Sequence, residues 1–230
     1  MLYRVAVISS PTPTSKPIVV AIDGPSGSGK SSTARGVARR LGLDYLDTGA
    51  MYRALAWLVL QADVEPTDTV AIANLARHME LEVSTDPQRP GVRVNGHDVT
   101  EAIRSPQISA FVSTVSTVPA VREHLVRVQQ EIVATAERGI VLEGRDTTTV
   151  VAPQAEVRVL LVADPSARMA RRLAELGDAV TDEQLHDQVV RRDADDSTVA
   201  RFTTAADGVV VIDSTQLSLA EVIDEICALA

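Results

Sequence analysis

The sequence predicts an α/β fold in which a parallel sheet is covered by helices on both faces. Runs that are wholly or largely apolar, at residues 140–142, 157–162 and 209–212, are typical of strands that are buried on both sides. Segments with helical periodicity separate these runs, and this alternation favours a parallel sheet. The carboxyl ends of such strands meet at one edge, where ligands bind in open α/β sheets.

Composition and charge limit the classes of function. The chain has 230 residues, of which 45% are hydrophobic, as in an ordinary globular protein. Its formal charge of −9 argues against binding to a nucleic-acid polymer, which normally requires a basic face. The single cysteine, Cys227, excludes a disulfide framework or a four-cysteine zinc site and fits a reducing compartment. No membrane-spanning run or signal-peptide core is predicted, so the cytoplasm is the expected location.

A glycine-rich segment follows the first apolar run, residues 18–22. It has the pattern G-x-x-x-x-G-K-[ST], and its candidate phosphate-binding residues are Gly24, Ser26, Gly27, Ser28, Gly29, Lys30, Ser31 and Ser32. Glycines let backbone N–H groups converge on phosphate oxygens, and the start of the following helix adds positive potential. The sequence therefore predicts a triphosphate site, in which Lys30 reaches the β- and γ-phosphates and the Ser31 hydroxyl ligates Mg²⁺.

The chain is predicted to divide into a core and an insertion. Residues 1–17 contain several prolines and are expected to form a poorly ordered tail. Residues 18–62 and 104–230 form the predicted core. Residues 63–103 differ, because alternating apolar residues flank Asn95-Gly96, which is a strong hairpin signal. We therefore expect a small antiparallel insertion in this otherwise parallel fold.

Helix boundary signals fill the second half of the core. Proline stands at the first turn of two predicted helices, at Pro106 and Pro119. A pair of helices is predicted over residues 166–176 and 181–192, and Ser218 begins a capping box for the last helix. Helices thus lie between the buried strands, as a parallel sheet requires.

Besides the glycine-rich loop, the sequence contains three further motifs: residues 47–53 (DTGAMYR), 144–146 (GRD) and 192–198 (RDADDST). With these motifs the chain resembles the bacterial cytidylate kinases over about residues 18–228. The resemblance implies a P-loop kinase fold with a five-stranded parallel sheet in the order 2-3-1-4-5, covered by helices. It also implies a short helical lid at about residues 168–192 and transfer of the γ-phosphoryl group of MgATP to CMP or dCMP.

The resemblance also assigns candidate residues. For phosphoryl transfer it implies Lys30, Arg145, Arg168 and Arg192. For CMP binding it implies Thr48, Arg53, Ser113, Arg122, Arg145, Asp146, Arg192 and Asp196. The attacking phosphate oxygen is already anionic, so the reaction needs cations rather than a general base. Arginine suits this task because its planar guanidinium binds phosphate through two hydrogen bonds.

Two of these residues are candidates for reading the base. A carboxylate can accept a hydrogen bond from cytosine N4, and a guanidinium can donate to N3 and O2. Asp146 and Arg122 have these chemistries. Uracil would leave such groups mispaired, so the pair predicts a strong preference for CMP over UMP.

Two positions depart from the family pattern. Val199 stands where the family usually has an arginine after D-S-T, and Arg201 is the nearest candidate to replace it. Thr148 stands at a position that is usually glycine. If that glycine needs a positive φ, threonine is costly there.

Other interpretations stay open at this point. A kinase of the same fold could act on UMP, AMP or shikimate, and a catalytically impaired relative would keep the fold. A guanine-nucleotide switch would carry Asn-Lys-x-Asp, but neither Asn74 nor Asn95 is followed by lysine. The expected partners are ATP and CMP or dCMP, without a nucleic-acid polymer or a membrane, and the expected state is a monomer.

Overall fold

We describe the chain from a computed structural model. The structure describes residues 17–176, 192–198, 200 and 202–230, except for the side chains of residues 175, 176, 192, 195 and 196. The predicted tail at residues 1–17, apart from its last residue, and the helix predicted over residues 181–192, apart from its last residue, lie outside the described residues. So do Val199 and Arg201, the two residues of the first departure from the family pattern.

The described strands are β1 (Val19–Asp23), β2 (Asp44–Asp47), β3 (Leu81–Val83), β4 (Val92–Val94), β5 (His97–Asp98), β6 (Ile140–Gly144), β7 (Val157–Val162) and β8 (Val210–Asp213). The described α-helices are α1 (Lys30–Leu41), α2 (Thr48–Gln61), α3 (Thr69–His78), α4 (Pro106–Ser116), α5 (Pro119–Thr135), α6 (Pro165–Leu176), α7 (Arg192–Ser197) and α8 (Leu219–Ala228). A 3₁₀ turn at Ala102–Arg104 and a π-helical turn at Thr147–Val151 complete the elements.

The central sheet has five strands in the order β2-β6-β1-β7-β8. Every pairing in it is parallel. Counted among themselves in chain order, these strands have the order 2-3-1-4-5, which confirms the predicted fold class. The order places the loops after β1 and β6 side by side, because these two strands are neighbours.

Alternate side chains of the strands enter two separate cores, as the pleat of a strand requires. On one face, Val20 and Ile22 pack with α1 and with Ile226 of α8. On the other face, Ala21 and Leu142 pack in the larger core that holds α2, α4 and α5. Helices on both faces therefore bury β1, β6 and most of β7, as predicted. The prediction is wrong for the run at 209–212: β8 is an edge strand, and its Val210 and Val211 are exposed.

A second, three-stranded antiparallel sheet in the order β3-β4-β5 lies within the predicted insertion. Asn95 and Gly96 join β4 to β5 with φ angles of 49° and 78°, so the predicted hairpin turn is confirmed. The Tyr45 N–H donates to the Thr85 carbonyl over 2.8 Å, which ties the insertion to the outer edge of β2. The division into a core at residues 18–62 and 104–230 and an insertion at 63–103 stays a prediction.

None of the helices in the described part of the chain is both long enough and apolar enough to span a membrane.

Candidate active site

The glycine-rich loop, or P-loop, connects β1 to α1, and its backbone requires glycine. Gly24, Gly27 and Gly29 have φ angles of 154°, 74° and 93°, which side chains rarely allow. A Cβ atom on Gly24 would lie 2.1 Å from the Leu161 carbonyl oxygen, and one on Gly27 would lie 2.6 Å from that of Arg168. The loop is therefore packed tightly against β7 and α6 and leads directly into the N-terminus of α1, where a helix favours anions.

A first cavity opens where the P-loop faces the carboxyl ends of β2 and β6. It is lined by Ser26, Gly27, Gly29, Lys30, Ser31, Ser32, Asp47, Gly49, Arg53, Arg104, Glu143, Gly144, Arg145 and Arg172. The cations in this set are Lys30, Arg53, Arg104, Arg145 and Arg172. Gly24 and Ser28, also predicted for ATP binding, are not lining residues, and Ser28 is buried. The chemistry of the first cavity is that of a polyanion site.

At the base of the first cavity, Ser31 meets an acidic residue that the motif analysis did not single out. The Ser31 hydroxyl donates to Glu143 Oε1 over 2.5 Å, and the Tyr45 hydroxyl donates to the same oxygen over 3.2 Å. Burial raises the pKa of Glu143, and the charge of Asp47 raises it further. Lys30 lies nearby with its Nζ donating to the Pro25 carbonyl over 2.8 Å. The position of Glu143 at the carboxyl end of a buried strand was the sequence signal for it.

Asp47 and Arg104 form a partly buried ion pair beside Glu143. Asp47 caps α2 by accepting from the Ala50 N–H over 2.9 Å, and its other oxygen accepts from Arg104 Nη2 over 2.7 Å. Burial alone would raise the pKa of the Asp47 carboxyl, but the charge and hydrogen bond of Arg104 hold it below its usual value. Arg104 lies in the 3₁₀ turn after the insertion, and no motif marked it.

Arg53 is a buried cation whose position is fixed by the protein. It is only 5% exposed, and its Nη1 donates to the Ile103 carbonyl and to Ser109 Oγ, each over 2.9 Å. It lies on α2 after Thr48, whose hydroxyl donates to the Glu143 carbonyl over 2.8 Å. The structure therefore places Arg53 in the lining of the first cavity, whereas Thr48 lines a second cavity described below, and the predicted roles of both residues in CMP binding stay predictions.

Asp193 links the P-loop to two predicted catalytic arginines. Its carboxylate accepts from Arg145 Nη1 over 2.6 Å, from the Ser26 N–H over 3.0 Å and from Arg168 Nη1. Burial alone would raise the pKa of the Asp193 carboxyl, but the charge of Arg145 and these hydrogen bonds hold it below its ordinary value. Arg145 also stacks over the Phe202 ring, with its guanidinium carbon 4.2 Å from the ring centroid.

The other predicted residues of this segment are Arg192 and Asp196, and their backbone lies in α7. Their side chains lie outside the described residues, so their roles stay predictions. The predicted lid at residues 168–192 begins within α6, and its residues 177–191 also lie outside the described part of the chain.

A second cavity adjoins the first and is lined by Thr48, Gly49, Tyr52, Val112, Ser116, Arg122, Gly144, Arg145, Asp146 and Ala200. In its wall, Arg122 Nη2 donates to Asp146 Oδ2, and the two side chains are 18% and 8% exposed. Burial raises the pKa of Asp146, and the charge of Asp23 raises it further. The charge of Arg122 acts in the opposite direction and lowers it. Ser113 is buried in α4 but is not a lining residue, whereas Ser116 is.

The condition under which Thr148 would be costly is not met. Thr148 is not among the described residues with a positive φ. Its N–H and its hydroxyl donate to Asp23 Oδ2 over 2.8 Å and 2.6 Å. Threonine therefore fits this backbone and adds a buried hydrogen bond that glycine would lack.

Comparisons with known proteins agree with this geometry. A family model described as cytidylate kinase matches residues 20–230. A cytidylate kinase of Cutibacterium acnes is 53% identical over 217 residues, covering 93% of this chain and 96% of the relative. One of Streptomyces avermitilis is 44% identical over 208 residues, covering 90% of each. A solved structure of an uncharacterized protein from Eubacterium ventriosum covers 92% of this chain and 96% of its own, with a TM-score of 0.52 at 11% identity, and supports the fold alone. The chain belongs to the cytidylate kinase family.

Proposed function

We propose that this protein transfers the γ-phosphoryl group of ATP to CMP or dCMP, forming ADP and CDP or dCDP. The observation that carries this proposal is the junction of the two cavities, which share Gly49, Gly144 and Arg145. An acceptor with its phosphate in the cationic first cavity would place its base in the second, against Arg122 and Asp146. Both the family and the named relatives support this reaction.

In the first cavity, catalysis is electrostatic. Lys30 and the P-loop amides bind the ATP phosphates, and Arg53 and Arg145 bind the acceptor phosphate. Arg168 and Arg192 stabilise the transferring group from the lid side. Since the acceptor phosphate is already anionic, the residues only need to bring two polyanions together and neutralise the developing charge. Asp193 accepts a hydrogen bond from Nη1 of both Arg145 and Arg168, so its carboxylate holds the two guanidinium groups beside the P-loop.

In the second cavity, the base is selected by hydrogen bonds. The Asp146 carboxylate accepts from cytosine N4, and Arg122 donates to the acceptors at N3 and O2. Ser113, Thr48 and Asp196 complete the predicted nucleoside contacts. UMP reverses the pattern at N3 and at position 4 of the ring, so it leaves the buried ion pair mispaired.

The residues below the P-loop fit Mg²⁺, which prefers oxygen ligands and keeps several waters. Ser31 Oγ donates to Glu143 Oε1 over 2.5 Å, and both residues line the first cavity, so two oxygen-bearing side chains lie together beside the proposed phosphate site. Ser31 would hold the ion together with the nucleotide phosphates, and Glu143 would orient the Ser31 hydroxyl. When bound, Mg²⁺ neutralises phosphate charge in the transferring group. The chain's own contribution is to place the hydroxyl and the carboxylate.

The test is ADP release by the purified protein with MgATP and each of CMP, dCMP, UMP, AMP, shikimate or no acceptor. We expect turnover with CMP and dCMP and little with the others. Equal turnover of UMP would contradict base selection by Arg122 and Asp146. Turnover confined to AMP or to shikimate would show that this molecule is the acceptor instead of CMP. No turnover with any acceptor would favour a catalytically impaired relative.

Two further proposals concern the cellular location and the oligomeric state of the enzyme. The free thiol of Cys227 fits a reducing compartment, and we propose the cytoplasm. The monomeric state expected from the sequence also stays a proposal. Light scattering at micromolar protein with and without CMP tests the oligomeric state.

A further inference from the structure

Asp23 is a buried carboxylate between the two substrate cavities. It is the last residue of β1, directly before Gly24 of the P-loop, and it is 1% exposed. Its Oδ1 accepts from the N–H and the hydroxyl of Thr147, over 2.8 Å and 2.7 Å. Its Oδ2 accepts from the N–H and the hydroxyl of Thr148, over 2.8 Å and 2.6 Å. Four hydrogen bonds thus join one side chain to two consecutive residues.

These hydrogen bonds cap the π-helical turn that follows Asp146. The first N–H groups of a helical turn have no partner within it and need an outside acceptor. The residue before the turn often supplies one, but the Asp146 side chain makes no such bond. Asp23 supplies it instead, from the neighbouring strand. The Asp146 carboxylate is thereby left to pair with Arg122 at the second cavity.

The same contact connects the two substrate loops. Asp23 lies opposite Gly144 in the register of β1 and β6, so the P-loop and the Gly144–Asp146 segment leave the sheet side by side. The backbone of Asp146 is held on one side by β6 and on the other by the turn, where its carbonyl accepts from the Val150 N–H over 2.8 Å. A shift of the turn would therefore move the Asp146 carboxylate relative to the P-loop.

We propose that Asp23 is a positioning residue for acceptor recognition: through Thr147 and Thr148 it fixes Asp146 at the second cavity and sets its distance from the P-loop. This inference rests on the proposed reading of cytosine by Asp146. All four donors to Asp23 are neutral groups, and hydrogen bonds to a buried charge are among the stronger ones. Each threonine hydroxyl therefore contributes to holding the turn in place.

The experiment compares Thr148→Val with Thr148→Ser, and Thr147→Val with Thr147→Ser. Valine keeps the shape of the side chain and removes the hydroxyl, whereas serine keeps the hydroxyl. For each protein, kcat and KM are measured for CMP, UMP and ATP, together with the melting temperature. Asp23→Asn is the stronger variant, because its amide NH₂ would face backbone N–H donors.

We expect each valine variant to lower the ratio of kcat/KM for CMP to that for UMP by about tenfold. Most of the change should be a higher KM for CMP, with little change in the KM for ATP, and the serine variants should keep the wild-type ratio. Valine variants with a lower melting temperature but an unchanged ratio would overturn the inference and leave base reading intact. A wild-type protein without a CMP preference would overturn base reading itself, and the inference with it.

Discussion

The two cavities of this enzyme are built in different ways. The first cavity is lined by a glycine-rich backbone and by cations that several elements supply, including α1, α2, the 3₁₀ turn and α6. The second cavity is lined mostly by apolar and small polar residues, with the ion pair of Arg122 and Asp146 in its wall. Among the residues that the structure describes, only Gly49, Gly144 and Arg145 belong to both.

The first cavity therefore determines how strongly an acceptor binds, and the second determines which base is accepted. Charge attracts any nucleoside monophosphate, because every such acceptor carries the same phosphate. A buried pair of directional hydrogen-bonding groups distinguishes bases, because a wrong base leaves them unpaired. We therefore expect changes in the first cavity to alter all acceptors alike and changes in the second to alter their ratio.

Lys30→Ala should have the largest effect. It removes the charge that reaches the ATP phosphates, so kcat should fall by roughly 10³-fold with CMP and with UMP alike. Steady-state ADP release with both acceptors measures this, and Arg39→Ala, an exposed change on the same helix, is the control. A selective loss of CMP turnover would show that the two cavities do not act separately.

Asp146→Asn should mainly change selectivity. The amide keeps the size of the side chain but offers a donor as well as an acceptor, so the preference for CMP over UMP should fall by about 10²-fold. The kcat/KM values for the two acceptors measure it. Glu123→Gln, which changes an exposed carboxylate on α5, is the matched control and should keep the ratio. A uniform loss with both acceptors would assign Asp146 to the phosphate end instead.

The pH dependence of kcat/KM for CMP should follow the protonation of Asp146. Cytosine N4 needs the carboxylate form, so kcat/KM for CMP should fall as the pH drops through the pKa of Asp146, which burial raises and Arg122 opposes. Removing the Arg122 charge should raise this pKa and move the acid limb to higher pH. The profile of Arg122→Leu between about pH 5 and 8, compared with that of Arg127→Leu, tests the sign.

Titration of the substrate itself is common to both proteins in that comparison and does not affect the difference. An acid limb that stays in place, or that moves to lower pH, would contradict the proposed pairing of Asp146 with Arg122.

Ser218→Ala should have the smallest effect and no effect on either cavity. Ser218 forms the capping box of α8 with Glu221, and its removal should lower the free energy of unfolding by about 1 kcal/mol. Urea denaturation measures this loss. The CMP-to-UMP ratio should be unchanged, since α8 packs in the core on the α1 face of the sheet, away from both cavities.

The sequence predicted the sheet well because buried parallel strands are continuous apolar runs. The predicted runs at 18–22 and 209–212 lie one residue earlier than β1 and β8, both of which end in an aspartate, Asp23 and Asp213. Hydropathy marks only the apolar part of a strand, whereas the hydrogen-bonded ladder continues into the polar residue. These terminal residues are also where side chains reach the ligand edge.

The site was predictable where a motif is local. Two short patterns, each confined to one loop region, contain Lys30 and Ser31 in the first case and Arg145 and Asp146 in the second. Arg104 meets Asp47 across 57 residues of chain, and Asp193 meets the Ser26 N–H across 167. Contacts of this kind depend on how distant elements pack, and no local pattern records them.

The hydrogen bond from the Tyr45 N–H to the Thr85 carbonyl has a consequence for solubility. β2 is an outer strand of the central sheet, and an uncovered outer strand presents unpaired backbone groups to other chains. The insertion occupies this edge, so besides neighbouring the first cavity it shields the sheet from edge-to-edge association. Its removal would expose this strand and would also take away the insertion's share of the larger core, which includes Ile72, Leu81 and Val94.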